Sequence, residues 1–552
     1  MDILNFISWI KGGRQVSTVD ASKTLVPLGL RDAKRDDGYL AGAITVEDLL
    51  ALVDTSIQGE SYIVVKGDGA TAAENGAELK AAYDIAVAST PYGSAKSSSN
   101  EYTILVAPGT YDMSAYNGAY GWEIDADYVN VISLSGIADV VLTTFLVSSS
   151  FCTIKGIDAS PNNGQILIDP STTSITFDTC IASDFSFGAG ITMNGHTFKN
   201  CTAGSNSFGS SMVLFAPIPF VTPPQSTPQT VTIQACTFEN CVAGSNSFGA
   251  AFVDAGIIDS TFNKCLVSTT DPSLASSFGY AGNFGPSGGT VYIAGTTFTD
   301  CKSGWYSFGC HTGFVGASVL IESNAVFTNC KAEAHTFGYS STGNTAEALG
   351  FFKNCTALIF SFGYTRMTRQ GMASGTFENC TLINSEGFGG YEASGLFVNC
   401  RAGSPTTGGG LAYAFGAGDP GAGAGYGYAS GTFTNCAAYG GLSFGYQAAN
   451  GIFTNCIAGG AAFGRLADGI FNNCVASGSA FAWDTTGLTV AGQFNHCIGG
   501  QNSFGNDDNT LTNYLLSGRA AFCIKNYGDY YTSSGAPTVL QCVNGSNVVV
   551  TI

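Results

Sequence analysis

Phe198-Lys199-Asn200-Cys201-Thr202-Ala203-Gly204-Ser205-Asn206-Ser207-Phe208-Gly209 decides the fold, because it recurs. The Phe-x-Asn-Cys element, with small variations, appears thirteen times from Phe177/Cys180 to Phe494/Cys497. Its third position is Asn in nine copies; Thr179, Lys264, Asp300 and His496 are the exceptions. A second element, usually Ser-Phe-Gly, follows, its Phe seven residues beyond the Cys in nine copies. The period is commonly 18–29 residues, too short for a helix pair. Gly, Ser, Thr and Asn saturate it, and no apolar stripe of helical period runs through it. Each piece is too small to bury its own apolar face. Stacking successive coils at roughly 4.8 Å solves that problem, because every strand pairs with its equivalents above and below. The pattern predicts an all-β solenoid, a parallel β-helix, right-handed by the general rule for parallel crossovers.

Residue types then acquire positions. In an extended Phe-x-Asn segment Phe points inward and the next residue outward. Asn tolerates the left-handed backbone better than most residues, so it bends the chain and turns the following Cys inward. Three ladders are expected. One contains Phe198, Phe238 and Phe352, the next Asn200, Asn240 and Asn354, and the last Cys201, Cys241 and Cys355. The Asn amides are expected to bond from coil to coil in an enclosed setting. Stacked Cys would sit roughly 4.8 Å apart, against about 3.8 Å between the Cβ atoms of a disulfide, so free buried thiols are expected despite 18 cysteines. No C-x2-C pair offers a metal site, and no metal or cofactor is expected. Three ladder Asn begin N-glycosylation sequons (Asn200, Asn354, Asn379). As structural, enclosed residues they argue against eukaryotic secretion, and folding in a reducing cytoplasm fits the free thiols.

Composition narrows the class. Only 11% of the 552 residues are charged, against roughly 25% in ordinary domains, and the net charge is -19. That balance excludes a phosphate-neutralising nucleic-acid binder. No apolar run is long enough for a membrane span. MDILNFISWIKGGR lacks the order of a signal peptide, since its cations follow the apolar run.

The ends differ from the repeat. Tyr62–Val65 reads as a strand, Gly67-Asp68-Gly69 as a turn, and Asn75 to Ala88 as a helix with Leu79, Ala82, Tyr83 and Ala86 on one face. Tyr102–Val106 then runs into Pro108-Gly109-Thr110-Tyr111. This order resembles the entry module of pectate-lyase-like β-helices, especially phage tailspikes. The resemblance implies that the helix caps the first coil. Ala72-Ala73-Glu74-Asn75-Gly76 stands where such tailspikes often carry an acidic pair. The expected organisation is a virion-attachment segment at 1–57, an entry module at 58–124, β-helix repeats at 125–505, and a distal cap or trimerisation element at 506–552. Phe6, Ile7, Trp9 and Ile10 are the attachment candidates, too apolar for a free helix in water. Thr45-Val46-Glu47-Asp48 before Leu49–Val53 reads as a second capped helix.

Catalytic signatures are sparse. A glycosidase needs two carboxylates about 5–9.5 Å apart. Asp254/Asp259 and Glu386/Glu392 are the nearest acid pairs, and each reads first as solvated loop charges. Arg366/Arg369 is the one tight basic pair, and His196, His311, His335 and His496 are isolated in sequence. Charges between Phe and Asn read as surface ladders, with opposite signs adjacent at Asp178/Lys199/Glu239 and Lys353/Glu378.

Binding has more support. Three excursions break the coil, near 212–230, 268–277 and 404–431; Tyr413, Tyr426 and Tyr428 in the last are the sugar-stacking candidates. Tyr280, Tyr339, Tyr364 and Tyr446 follow the Phe-Gly element and read first as an interior stack. The residue after Cys is apolar at both ends of the array and polar in the middle. If it faces outward, those stripes are subunit contacts, threefold as in the resembled tailspikes.

The resemblance therefore implies a tail fibre or tailspike-like rod of a bacteriophage virion. It would assemble in the host cytoplasm as a homotrimer, bind other virion proteins through 1–57 and recognise a host-surface glycan. A polysaccharide depolymerase on the same β-helix and a surface adhesin remain the alternatives.

Overall fold

A computed structural model describes Leu25–Leu30, Leu40–Thr45, most of 61–500 and the strands between 515 and 550. Residues 117–120, 211–229, 269–275, 283–288, 313–317, 366–369, 404–412, 417–426 and 482–488 are the longer stretches outside it up to 500. Within 1–57 the described residues form one antiparallel hairpin, Leu25 opposite Thr45 and Leu30 opposite Leu40. Phe6, Ile7, Trp9, Ile10 and the expected helix after Thr45 lie outside the described residues.

The Phe strands form one column. Nineteen short strands, from Tyr62–Val65 to Thr538–Leu540, pair in parallel, each with the strand of the coil before and the coil after. The chain is thus a parallel β-solenoid, and its column runs past the thirteen motif copies at both ends. Past the corner a second column runs from Gly109–Tyr111 to Cys542–Val543, partly as single bridges. Ten strands from Met193–Asn194 to Ala448–Ala449 make the third side. The last strand, Val549–Val550, is reversed and pairs antiparallel with Cys542–Val543.

The corner explains the motif. All thirteen third-position residues have φ between 52° and 55°, including Thr179, Lys264, Asp300 and His496. Asn dominates there because its short polar side chain lowers the cost of the left-handed backbone. The bend turns Cys inward as expected: Cys201, Cys241 and Cys355 are buried. One expectation is corrected. Asn200, Asn240 and Asn354 lie exposed on the outer edge, because the left-handed residue itself points away from the axis. Their ladder still forms. From Asn329 on Asp300 up to Asn473 on Asn455, each amide donates to the carboxylate or amide oxygen of the coil below at 2.9–3.1 Å.

Two aromatic ladders fill the interior. Phe177 to Phe494 stack face to face with neighbouring centroids 4.6–5.3 Å apart. Phe198, Phe238 and Phe352 are fully buried in this ladder, as expected. Phe238 lies between Phe198 at 4.9 Å and Phe262 at 4.6 Å, within one continuous core. The Phe of the second element makes another stack, Phe187 to Phe481, at 4.7–5.0 Å. The two meet edge to face, as for Phe352 and Phe362 at 5.6 Å and 88°. That arrangement sets the positive ring edge of one ladder against the negative face of the other. Nine residues of the second ladder, Phe208 and Phe362 among them, hold φ between 39° and 56°, which is unusual for a bulky side chain. Gly follows eight of the nine, each also at positive φ, and at Gly363 a Cβ would run into the Met372 carbonyl. Ser207 and Ser247 stand buried before their Phe and accept backbone N–H bonds from the neighbouring coil, explaining the Ser of Ser-Phe-Gly.

Each thiol of the motif ladder is satisfied locally. Cys355 donates to the carbonyls of Lys353 and of Phe327 one coil below, both at 3.5 Å. All 18 cysteines are buried and free. Burial pushes the Cys152 and Cys236 thiols up to about 11.

The entry module closes the first coils. The helix, α1, spans Ala72–Ala88, starting three residues earlier than expected. Glu74, read as a departure from tailspikes, closes a capping box with Thr71. The buried face includes Leu79, Ala82, Tyr83 and Ala86, as expected. Glu78 accepts the backbone N–H groups of Lys66 and Gly67 at 2.9 and 3.1 Å, fixing the Gly-Asp-Gly turn. Tyr83 donates to Asp125 and accepts the N–H groups of Asp125 and Ala126, tying α1 to the second coil.

Candidate recognition surface

Since the axis is filled with rings and thiols, chemistry is left to the outer faces. The acids there bind the coils together. Asp254 accepts from the Thr230 hydroxyl at 3.1 Å and the Thr290 N–H at 2.7 Å, one coil on either side. Asp259 occupies a left-handed corner at φ 48°. Glu392 accepts from Ser430 at 2.6 Å. Glu386, Arg366 and Arg369 lie outside the described residues. Among the described residues, no group of three or more His, Cys, Asp or Glu is placed to hold a metal ion.

The charge ladders are partly as expected. Lys353 pairs with Glu378 at 3.3 Å. Asp178, however, pairs with Lys155 of the coil below at 2.7 Å. Lys199, its register neighbour on the other side, stays exposed. Hydrogen bonds from Lys155, Asn200 and Thr179 outweigh half-burial and hold the Asp178 carboxyl below its usual range.

The aromatic candidates divide. Tyr413 begins the strand Tyr413–Phe415, while Tyr426 lies outside the described residues. Tyr428 is half-buried, its ring edge-on to Tyr391 at 5.4 Å. Tyr280, Tyr339 and Tyr364 are buried with Cys310 in a small satellite core, so the interior reading holds for those three.

A further aromatic column was missed. Tyr306, His335 and Phe360 stack at 5.0 Å per step, half-buried, each two residues before a second-element Phe and each at positive φ. Trp305 lies beside it and donates from Nε1 to Glu333 at 3.0 Å. Aligning the repeats on the second Phe, rather than on the first, would have found it.

No family model matches the chain, and no curated protein matches it. Among solved structures it is weakly similar to a protein of a virus, Geobacillus virus E2 ORF18, at 9% identity and a TM-score of 0.13. The match covers 92% of this chain and 65% of that one, so the chain spans just under two thirds of that protein's length. No described helix is long and apolar enough to cross a membrane.

Proposed function

We propose that this chain is a structural rod of a bacteriophage virion, a tail fibre or tailspike-like protein that presents its flanks to a host-surface glycan. The uninterrupted parallel column behind a capping helix carries the reading. An axis filled with side chains makes a stiff spacer, and a spacer of this kind places recognition on its sides. Residues 1–57, with Phe6, Ile7, Trp9 and Ile10, supply the attachment to other virion proteins. Tyr413, Tyr426 and Tyr428 supply ring faces for sugar stacking. The employment of Asp254 and Glu392 in coil-to-coil bonds favours binding over glycan cleavage.

Antibody against the full chain, gold-labelled on phage particles, should decorate one fixed location. Particles without label would refute the virion assignment. The purified chain should bind envelope polysaccharide without releasing reducing or unsaturated ends; steady release would transfer the assignment to a depolymerase.

A further inference from the structure

The thiol column repeats one conformation. From Cys201 to Cys497 every motif Sγ donates to the carbonyl two residues earlier and to a Phe carbonyl one coil below, all at 3.2–3.6 Å. Cys180 does the same with Asp178 and Ile154. A side chain held by the same two contacts in every coil is displaced only by the rise of the solenoid. The stacked Phe rings record that rise, 4.6–5.3 Å between centroids. Thirteen sulfur atoms therefore stand in one line along the axis, each about 4.8 Å from the next. Cys201 interacts with Cys180 and Cys241, and Cys355 with Cys330 and Cys380.

That spacing excludes one bond and suits another. A disulfide needs sulfurs about 2.0 Å apart, so neighbouring thiols cannot join without moving the strands. A zinc–thiolate bond is about 2.3 Å, and two bonds of that length in a straight line span about 4.6 Å. Each gap in the column is thus as long as one linear S–metal–S unit. It is a two-ligand site, distinct from the three-ligand clusters that the described residues lack, and structural zinc takes four ligands. Thiolate softness selects Cu(I) and its heavier relative Ag(I), which accept two sulfurs in line. Charge also balances. Each cation replaces one thiol proton, S–H plus M⁺ giving S–M plus H⁺, and a second lone pair of each sulfur bridges to the next ion. Ions in all twelve gaps displace twelve of the thirteen protons, so the column stays uncharged in its apolar surroundings. Ligand pairs lie 18 to 40 residues apart in sequence, where a search for short chelating spacings passes over them.

We propose that the Cys180–Cys497 column binds soft monovalent cations, Cu(I) or Ag(I), one in each gap between coils, as a linear chain of S–metal–S units. Metal uptake depends on neither virion attachment nor glycan binding, so it stands or falls by itself.

Because the column is closed, the metal is supplied while the chain folds. The full chain, made by cell-free synthesis under nitrogen with Cu(I) held on glutathione, should keep twelve ions after passage over a chelating resin, one per gap. X-ray absorption should show two sulfur neighbours per copper at about 2.3 Å. Ag(I), supplied in the same way, should give the same count. Cys355→Ala spoils two adjacent gaps and should lower the count by two. An apolar residue fits there, since Ile157 holds the equivalent buried place one coil below Cys180. Cys310→Ala removes a buried thiol outside the column, in the satellite core with Tyr280 and Tyr339, and should leave the count unchanged. Should Cys355→Ala lose the parent's far-UV spectrum, Cys355→Ser serves, its hydroxyl meeting the same two carbonyls. Loss of nearly all metal on the resin, three or more sulfur neighbours per ion, or equal counts in the parent and the Cys355 variant would overturn the proposal.

Discussion

Phe352 shows how one residue type carries this molecule. It lies between Phe327 at 4.8 Å and Phe377 at 4.9 Å and meets Phe337 and Phe362 edge-on. Phe352→Ala removes a ring from a site that neighbouring coils cannot collapse into, and should cost about 3–5 kcal/mol in urea unfolding. A loss under about 1 kcal/mol would contradict the interior placement. His196 contributes a pH dependence, as does the buried His311. The His196 Nδ1 accepts the Ile175 N–H at 3.3 Å, and burial lowers the His196 pKa from 6.5 to about 4. Between those values the unfolded chain takes up a proton that the folded chain refuses. This contribution is intact above pH 6.5 and is lost as pH falls toward 4. Urea midpoints at neutral pH and midway through that window should differ, and His196→Gln should reduce the difference. Equal slopes in parent and variant would exclude His196 as a source.

Elements were legible where a residue type repeats. The Asn corner and the Cys turned inward by it follow from the left-handed tolerance of Asn alone. The third corner was not legible, because Ser174, Ala235, Asp259 and Gly295 all serve there at positive φ. Backbone bonds from coil to coil enforce that conformation, and no residue preference marks it. The exposure of Asn200 was misread for a related reason: a hydrogen-bonded ladder suggests burial, yet a left-handed corner places its own side chain outside. Of the sugar-stacking candidates, Tyr428 is partly covered by Tyr391, because strand pairing of Glu392 with Tyr428 draws the two rings together. The entry helix was read from its apolar face, and its start was missed because Thr71 and Glu74 form the capping box before that face begins. Thr71→Ala should lower stability by about 1 kcal/mol, measured by thermal or urea unfolding. No change would mean that packing alone fixes α1.

At the scale of the whole molecule, nineteen strands in register predict a column about 85 Å long at roughly 4.8 Å per coil. Small-angle scattering should return a rod whose long dimension is at least that. A markedly shorter particle would mean that the column folds back on itself. Stability should spread along the rod as nearest-neighbour terms, with the Phe ladders coupling each coil to the next. A column of this kind has no intrinsic reason to stop, because its last coil presents the same backbone template as every coil before it. The reversed strand Val549–Val550 on Cys542–Val543 supplies one. A same-sense strand adding to the second column finds its edge already occupied by chain of opposite polarity. The turn-back thus blocks same-sense extension of the second column past Cys542–Val543.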